Sequence, residues 1–331
     1  MTMAAATMIL AGCGNDEPVD NWNGEIRLTS GVTVQTRANS SDVPDKQIAE
    51  GEKVYIWVDE AIQTTTMPGI TTYIVAWTLT ANGQGAFNGN AKYYPSDGGN
   101  LDFYAMHGNF TYTEGSDAFP KEAITHAVAA DQSSNLGANY LKSDLLYGLQ
   151  KGVARSKKAV NLPFYHLLSK VEVALKSGNG YPNLTYGATV TIENTRLKAA
   201  FTPSKSAEIN HADATTAQAA RAGLVTCPEN NNDVSPITIA TKVTSNDFST
   251  GTEYAAAILV PQTVAKGTKF IKVVLIDGGT FYYAIPDADI TFESGKKYQY
   301  QITVNKTGLS VTSTVSDWTP ITAITGEAVM D

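Results

Sequence analysis

The chain has 331 residues, beyond the roughly 250 to 300 at which a single core stops growing, so two domains are expected. Charged residues make up 17% of it and apolar residues 43%, and the 16 Tyr with many Val, Ile and Thr favour strands over helices. A formal net charge of -8 without a basic cluster excludes nucleic acid as a partner, since binding it needs a positive footprint.

Met1 to Leu10 is small and apolar and leads into Leu10-Ala11-Gly12-Cys13, which matches the lipobox of bacterial lipoprotein signal peptides. Residues 1–13 are therefore expected to be signal peptide and lipobox, with Cys13 carrying the lipid that anchors the chain in the outer membrane. Asp16, Glu17 and Asp20 follow as an acidic tether towards the cell surface. The apolar region is short and no Lys or Arg precedes it, which points to a start upstream of Met1. After Cys13 no apolar run is long enough to span a bilayer as a helix, and Cys227 stands alone, without a disulfide partner.

The first strand is expected within residues 24–37. Ile26, Leu28, Val32 and Val34 share one parity and Arg27, Thr29, Thr33 and Gln35 the other, the pattern of a half-buried strand. It runs directly into Arg37-Ala38 and a polar stretch, which a trypsin-like protease could cut. Further strands are expected at Val54 to Asp59, Thr72 to Thr80, Leu101 to Met106 and Leu145 to Leu149, separated by turn signals such as Asn82-Gly83 and Asn88-Gly89. Residues 113 to 143 read as a loop-like or partly helical crossing. The charge-rich run Gln150 to Lys158 reads as a break, placing one domain at 14–157 and the next at 158–331. Within that run Arg155-Ser156-Lys157-Lys158 is the densest basic stretch and reads as a solvated linker.

The second half repeats the pattern in Val160 to Lys176, Ala188 to Ala200 and Tyr254 to Pro261. Phe270 to Ile276 and Thr280 to Ile285 form a hairpin through Asp277-Gly278-Gly279, and Lys297 to Trp318 forms another through Asn305 to Gly308. Asp213 to Ala222 alone looks helical. The expected fold class is all-β: two tandem antiparallel β-sandwich domains, of the transthyretin-like kind, with little helix.

Chemistry is sparse. His107, His126, His166 and His211 lie apart from one another, without the spacing of a zinc or iron site, and His166 reads as a core or interface hydrogen-bonding group. Asp287-Ala288-Asp289 lacks the glycine and distal glutamate of a calcium loop. Neither a nucleophile elbow, nor a phosphate loop, nor a dinucleotide fingerprint occurs, so no catalytic residue, metal or cofactor is expected.

Taken together, Leu10 to Gly14 (LAGCG), Thr36 to Ala38 (TRA), Leu162 to Leu175 (LPFYHLLSKVEVAL), Ile258 to Thr263 (ILVPQT) and Gly295 to Trp318 resemble the fimbrillins, lipoprotein precursors of type V pili. The resemblance implies a surface-delivered precursor that a trypsin-like maturation protease cuts after Arg37, before Ala38. The first strand then leaves, and a strand of another pilin subunit fills its groove. Burial of Ile26, Leu28, Val32 and Val34 would contribute about 6 to 12 kcal/mol as an upper estimate, comparable with the net stability of a whole domain. Arg27 is a poorer cutting site because it lies inside the strand.

Stalk subunits of such pili donate C-terminal residues, which here would be 319–331 with Ile321, Ile324 and Val329 as buried side chains. Ile321 and Val329 share a parity that Ile324 breaks, so a bulge is needed. The alternatives are a tip or accessory adhesin of the same pilus, or a surface glycan-binding lipoprotein using exposed aromatic rings. Trp22, Trp57, Trp77 and Trp318 lie in apolar strand contexts and read as core. The expected location is the outer membrane surface and the fimbrium, and the adhesive ligand is not written in the sequence.

Overall fold

A computed structural model of the chain describes residues 22–30, 47–60, 76–95, 99–134, 137–178, 184, 187–205, 223–228, 234–241, 243–244, 255–276, 279–305 and 308–318. Its first half comprises β1 (Leu28–Thr29), β2 (Lys53–Glu60), β3 (Trp77–Ala81), β4 (Phe87–Gly89), β5 (Leu101–His107), β6 (Ile124–Ala127) and β7 (Asp131–Gln132). The short helix α1 (Ala138–Ser143) precedes β8 (Leu146–Val153), β9 (Val160–Asn161) and β10 (Phe164–His166). Six of these strands form one antiparallel sheet in the order β10-β8-β5-β2-β3-β4.

At β2, β5 and β10 that sheet is buried on both faces, which explains their nearly continuous apolar runs, whereas β3 alternates and β4 is largely exposed. Val54, Ile56 and Val58 of β2, with Leu101, Phe103 and Ala105 of β5, point into a small core that also holds Ile26 and Leu28. Tyr55 and Trp57, with Tyr104, Met106 and Tyr147, point the other way into a large core shared with the second half.

The second half comprises β11 (Ser169–Ser177), β12 (Ala188–Arg196), β13 (Lys198–Pro203), β14 (Gly223–Thr226), β15 (Val234–Ile239), β16 (Val243–Thr244) and β17 (Ala255–Leu259). It continues with β18 (Gln262–Val264), β19 (Lys269–Leu275), β20 (Thr280–Ala284), β21 (Ile290–Phe292), β22 (Lys296–Asn305) and β23 (Gly308–Asp317). One sheet centres on β11, flanked by β17 and β16 on one side and by the β22–β23 hairpin on the other; a second runs β20-β19-β12-β15-β7. Their inner faces meet in the large core, where Tyr298, Tyr300, Ile302 and Val304 of β22 alternate with half-buried residues.

Three sequence expectations change. The second-half sheets are not purely antiparallel: β11 pairs in parallel with β22, from Lys170 opposite Lys297 to Ser177 opposite Val304. Its burial is continuous from Ser169 to Leu175, as a central strand covered on both faces requires. The run Gln150 to Lys158 is strand as far as Val153, because β8 stays paired with β5 through a register shift between Leu101 and Phe103, where the Gly152 amide donates to the Asp102 carboxylate at 2.8 Å. Residues beyond 158 also serve the first half: β9 pairs with β1 and β10 with β8, and the chain enters β11 through Leu167 and Leu168.

The crossing at 113–143 contains α1 and two short strands that join the second half, β6 pairing with β13 and β7 with β15. Gln132 secures this junction with a side chain that imitates backbone. Its carboxamide accepts from the Ile258 amide at 2.7 Å and donates to the Ile258 carbonyl at 3.0 Å. Gln262 does the same at Arg196, accepting from its amide at 3.0 Å and donating to its carbonyl at 3.3 Å.

Candidate functional site

Residues 22–30 lie across the small core as a separate segment, with Gly24, Ile26, Leu28 and Ser30 buried and Asn23 and Arg27 exposed. This is the alternation expected from the sequence, now with a partner on each side. Along one side runs residues 85–94: Ser30 donates its amide to the Gly85 carbonyl and Ile26 to Lys92, each at 2.7 Å, while the Tyr94 amide donates to Gly24 at 2.8 Å. Along the other runs β9, parallel, with the Val160 amide donating to Arg27 at 2.8 Å and Leu162 to Thr29 at 2.7 Å.

The groove holding the segment therefore has two walls far apart in sequence and a floor made by the six-stranded sheet. Trp77 braces one wall, donating its indole N–H to the Asn90 carbonyl at 2.9 Å. Tyr94 lies in that wall with its hydroxyl buried and, among the described residues, without a hydrogen-bond partner; burial pushes its pKa up. Ile26 and Leu28 are 4% and 5% exposed, and their burial contributes about 3 to 6 kcal/mol as an upper estimate.

Of the other residues singled out in the sequence, Cys13, Val32, Val34, Arg37, Ala38, Ile321, Ile324 and Val329 lie outside the described residues, as do His211 and the stretch Asp213 to Ala222. Trp57, Trp77 and Trp318 are buried and Trp22 is half-buried. Cys227 is a half-buried thiol packed on the large core.

A second cluster lies at Trp318, the last described residue before 319–331. Its ring stacks on His166 with centroids 3.8 Å apart and planes at 9°, and its amide donates to the Gly295 carbonyl at 2.7 Å. His166 Nδ1 lies 2.9 Å from Asp144 Oδ2, both buried. Next to it Lys170 pairs with Glu172 at 2.9 Å, and Gln299 donates to the Glu172 carboxylate at 2.8 Å. These partners come from distant segments, so the sequence pointed to His166 but to nothing around it.

His107 and His126 are likewise held by backbone groups. His126 Nε2 donates to the Ser143 carbonyl at 2.9 Å and its Nδ1 accepts from the Asn109 amide at 3.1 Å, which fixes the neutral tautomer. Burial pushes its pKa down to about 4. Among the described residues no three His, Cys, Asp or Glu side chains group to hold a metal, and no helix is long and apolar enough to cross a membrane. What the geometry offers is a strand-shaped groove, suited to backbone pairing.

Residues 36–318 match the fimbrillin-like family. The chain is 26% identical over 330 residues to a Bacteroides uniformis protein named as fimbrium subunit Fim1C, covering 95% of this chain and 93% of that one. A cell adhesion protein of Bacteroides ovatus has a similar fold, with a TM-score of 0.59 and 18% identity over 89% of this chain and 96% of that one. Another from Bacteroides uniformis gives a TM-score of 0.55 and 20% identity, over 89% and 97% of the two chains. With an all-β fold, a groove shaped for a strand and a family match over most of its length, the chain belongs to the fimbrillin-like family, structural subunits of cell-surface fimbriae rather than enzymes.

Proposed function

We propose that this fimbrial subunit is made as a lipoprotein precursor acylated at Cys13 and anchored in the outer membrane, then cut after Arg37 by a trypsin-like protease. Loss of the first segment opens the groove, and a strand of another pilin subunit takes its place. The observation that carries this reading is the seating of residues 22–30: two buried apolar side chains and a backbone bonded to both walls of the groove. A body without that segment would expose a dry floor and unpaired edge groups, which an incoming strand satisfies by backbone pairing.

The family match covers 36–318, with residues 22–30 before it and 319–331 after it. In this reading residues 319–331 are the donor, with Ile321, Ile324 and Val329 buried only by a neighbour.

The test is Arg37→Ala. Alanine removes the side chain that a trypsin-like protease recognises, so the variant should fold normally and accumulate as an uncut monomer, while the unaltered chain yields a polymer whose subunits begin at Ala38. Polymer of normal length with residues 22–36 still attached would overturn the reading.

A further inference from the structure

Arg155 lies between β8 and β9, in the run that reads as a solvated linker, and its side chain is engaged at the end of the groove where the first segment enters. The guanidinium carbon sits 5.2 Å from the centroid of the Trp22 ring, and Nη1 donates to the Pro95 carbonyl at 3.1 Å. Gly24 passes beneath with φ +87°, and a Cβ there would meet Arg155 Nη2 at 2.8 Å. Glycine is required there for the left-handed backbone, and a Cβ would displace the guanidinium from its present seat.

Trp22 is held from below as well. Its indole N–H donates to the Glu25 carbonyl at 3.2 Å, and its ring meets Tyr94 edge-on at 6.1 Å and 67°. Pro95 directly follows the wall that contains Tyr94, while Arg155 leads into β9, the opposite wall. One side chain therefore spans both walls and covers the end of the segment. An arginine suits this place because its planar guanidinium stacks on a ring while its edge still donates; an ammonium does not combine the two.

We infer that Arg155 is a latch: it holds Trp22 and Gly24 in place and sets how long the first segment remains in the groove after the chain has been cut. The inference rests on the removable-strand reading and concerns its timing. A cut downstream of Ser30 frees that end first, so the segment peels from Ser30 towards Trp22. The ladder bonds at Thr29, Arg27 and Ile26 then open before the clip at Trp22. Arg155 is the last contact to give way, and it makes removal of the segment a step separate from cleavage.

The experiment uses the full chain carrying Cys13→Ser, to keep it unlipidated, with a specific protease site inserted between Ala38 and Asn39. After cleavage, native mass spectrometry follows the N-terminal fragment as it leaves the body. Arg155→Ala should release it about 5- to 30-fold faster than the parent, the factor for an interaction of one to two kcal/mol. Arg155→Lys should fall between them. Lys158→Ala removes the same charge from the same loop and should release at the parental rate. Trp22→Leu provides a second route: it should speed release, and the double variant with Arg155→Ala should be faster than the parent by less than the product of the two single effects. Equal release from the parent and Arg155→Ala would overturn the latch and leave the removable strand intact. A fragment that never leaves any variant, or whose departure unfolds the body, would overturn both.

Discussion

The first segment and β11 are both strands with alternating apolar residues and a neighbour on each side, yet they differ in what their removal would disturb. β11 is paired from Lys170 to Ser177 with β22 and from Ser169 to Val173 with β17, and both its faces are covered. The first segment has a regular ladder only at Leu28 and Thr29, with isolated bridges from Glu25 to Tyr93 and from Thr29 to Ala86. Burial of side chains is common to both. In the proposed reading, what separates β11 from a removable strand is the length of its ladders and the packing on both its faces.

Three measurements would break or sharpen that contrast. The largest effect is expected for Leu175→Ala in β11, a fully buried side chain in the large core, at about 2 to 5 kcal/mol in urea denaturation. The loss should be the same before and after the first segment is removed; a loss that disappears with the segment would make the two strands one unit.

Acid should weaken the large core next. The His126 pKa is pushed down to about 4 in the fold against about 6.5 unfolded, so the unfolded chain takes up the proton first as pH falls. Stability due to this group is complete above pH 6.5 and declines as pH falls towards 4, by about 3 kcal/mol in total. Urea midpoints between pH 7 and 4.5 should show the slope, and His126→Gln should flatten it.

The smallest effect is expected for Leu28→Ala, about 2 kcal/mol at the low end of leucine truncations, because the groove lies where its contents can relax. It should lower the stability of the uncut protein and leave the body unchanged once the segment has gone. An equal effect in both forms would mean that Leu28 does not leave with the segment.

Strands were legible in the sequence where side-chain periodicity records burial: β2, β5, β19, β20 and the β22–β23 hairpin lie within a residue or two of their expected positions. Pairing between distant segments was not. The parallel match of β11 with β22 and the crossings of β6 and β7 depend on residues far along the chain, and an apolar run does not state which neighbour covers it. Ile26 and Leu28 were readable because their parity is local, whereas the walls of their groove, at 85–94 and 160–162, read as turns and a strand start. Arg155 was hidden for a further reason: charge density describes a run of residues, and its contact with Trp22 belongs to one side chain.

The parallel pairing of β11 with β22 also bears on the order of events at synthesis. Glu172 and Gln299, 127 positions apart in the chain, bond across the β11–β22 pairing, so that side of the central sheet stays open until the β22–β23 hairpin has been made. Such high contact order slows folding, and one edge of β11 stays unpaired, even with β16 and β17 on the other, until β22 arrives.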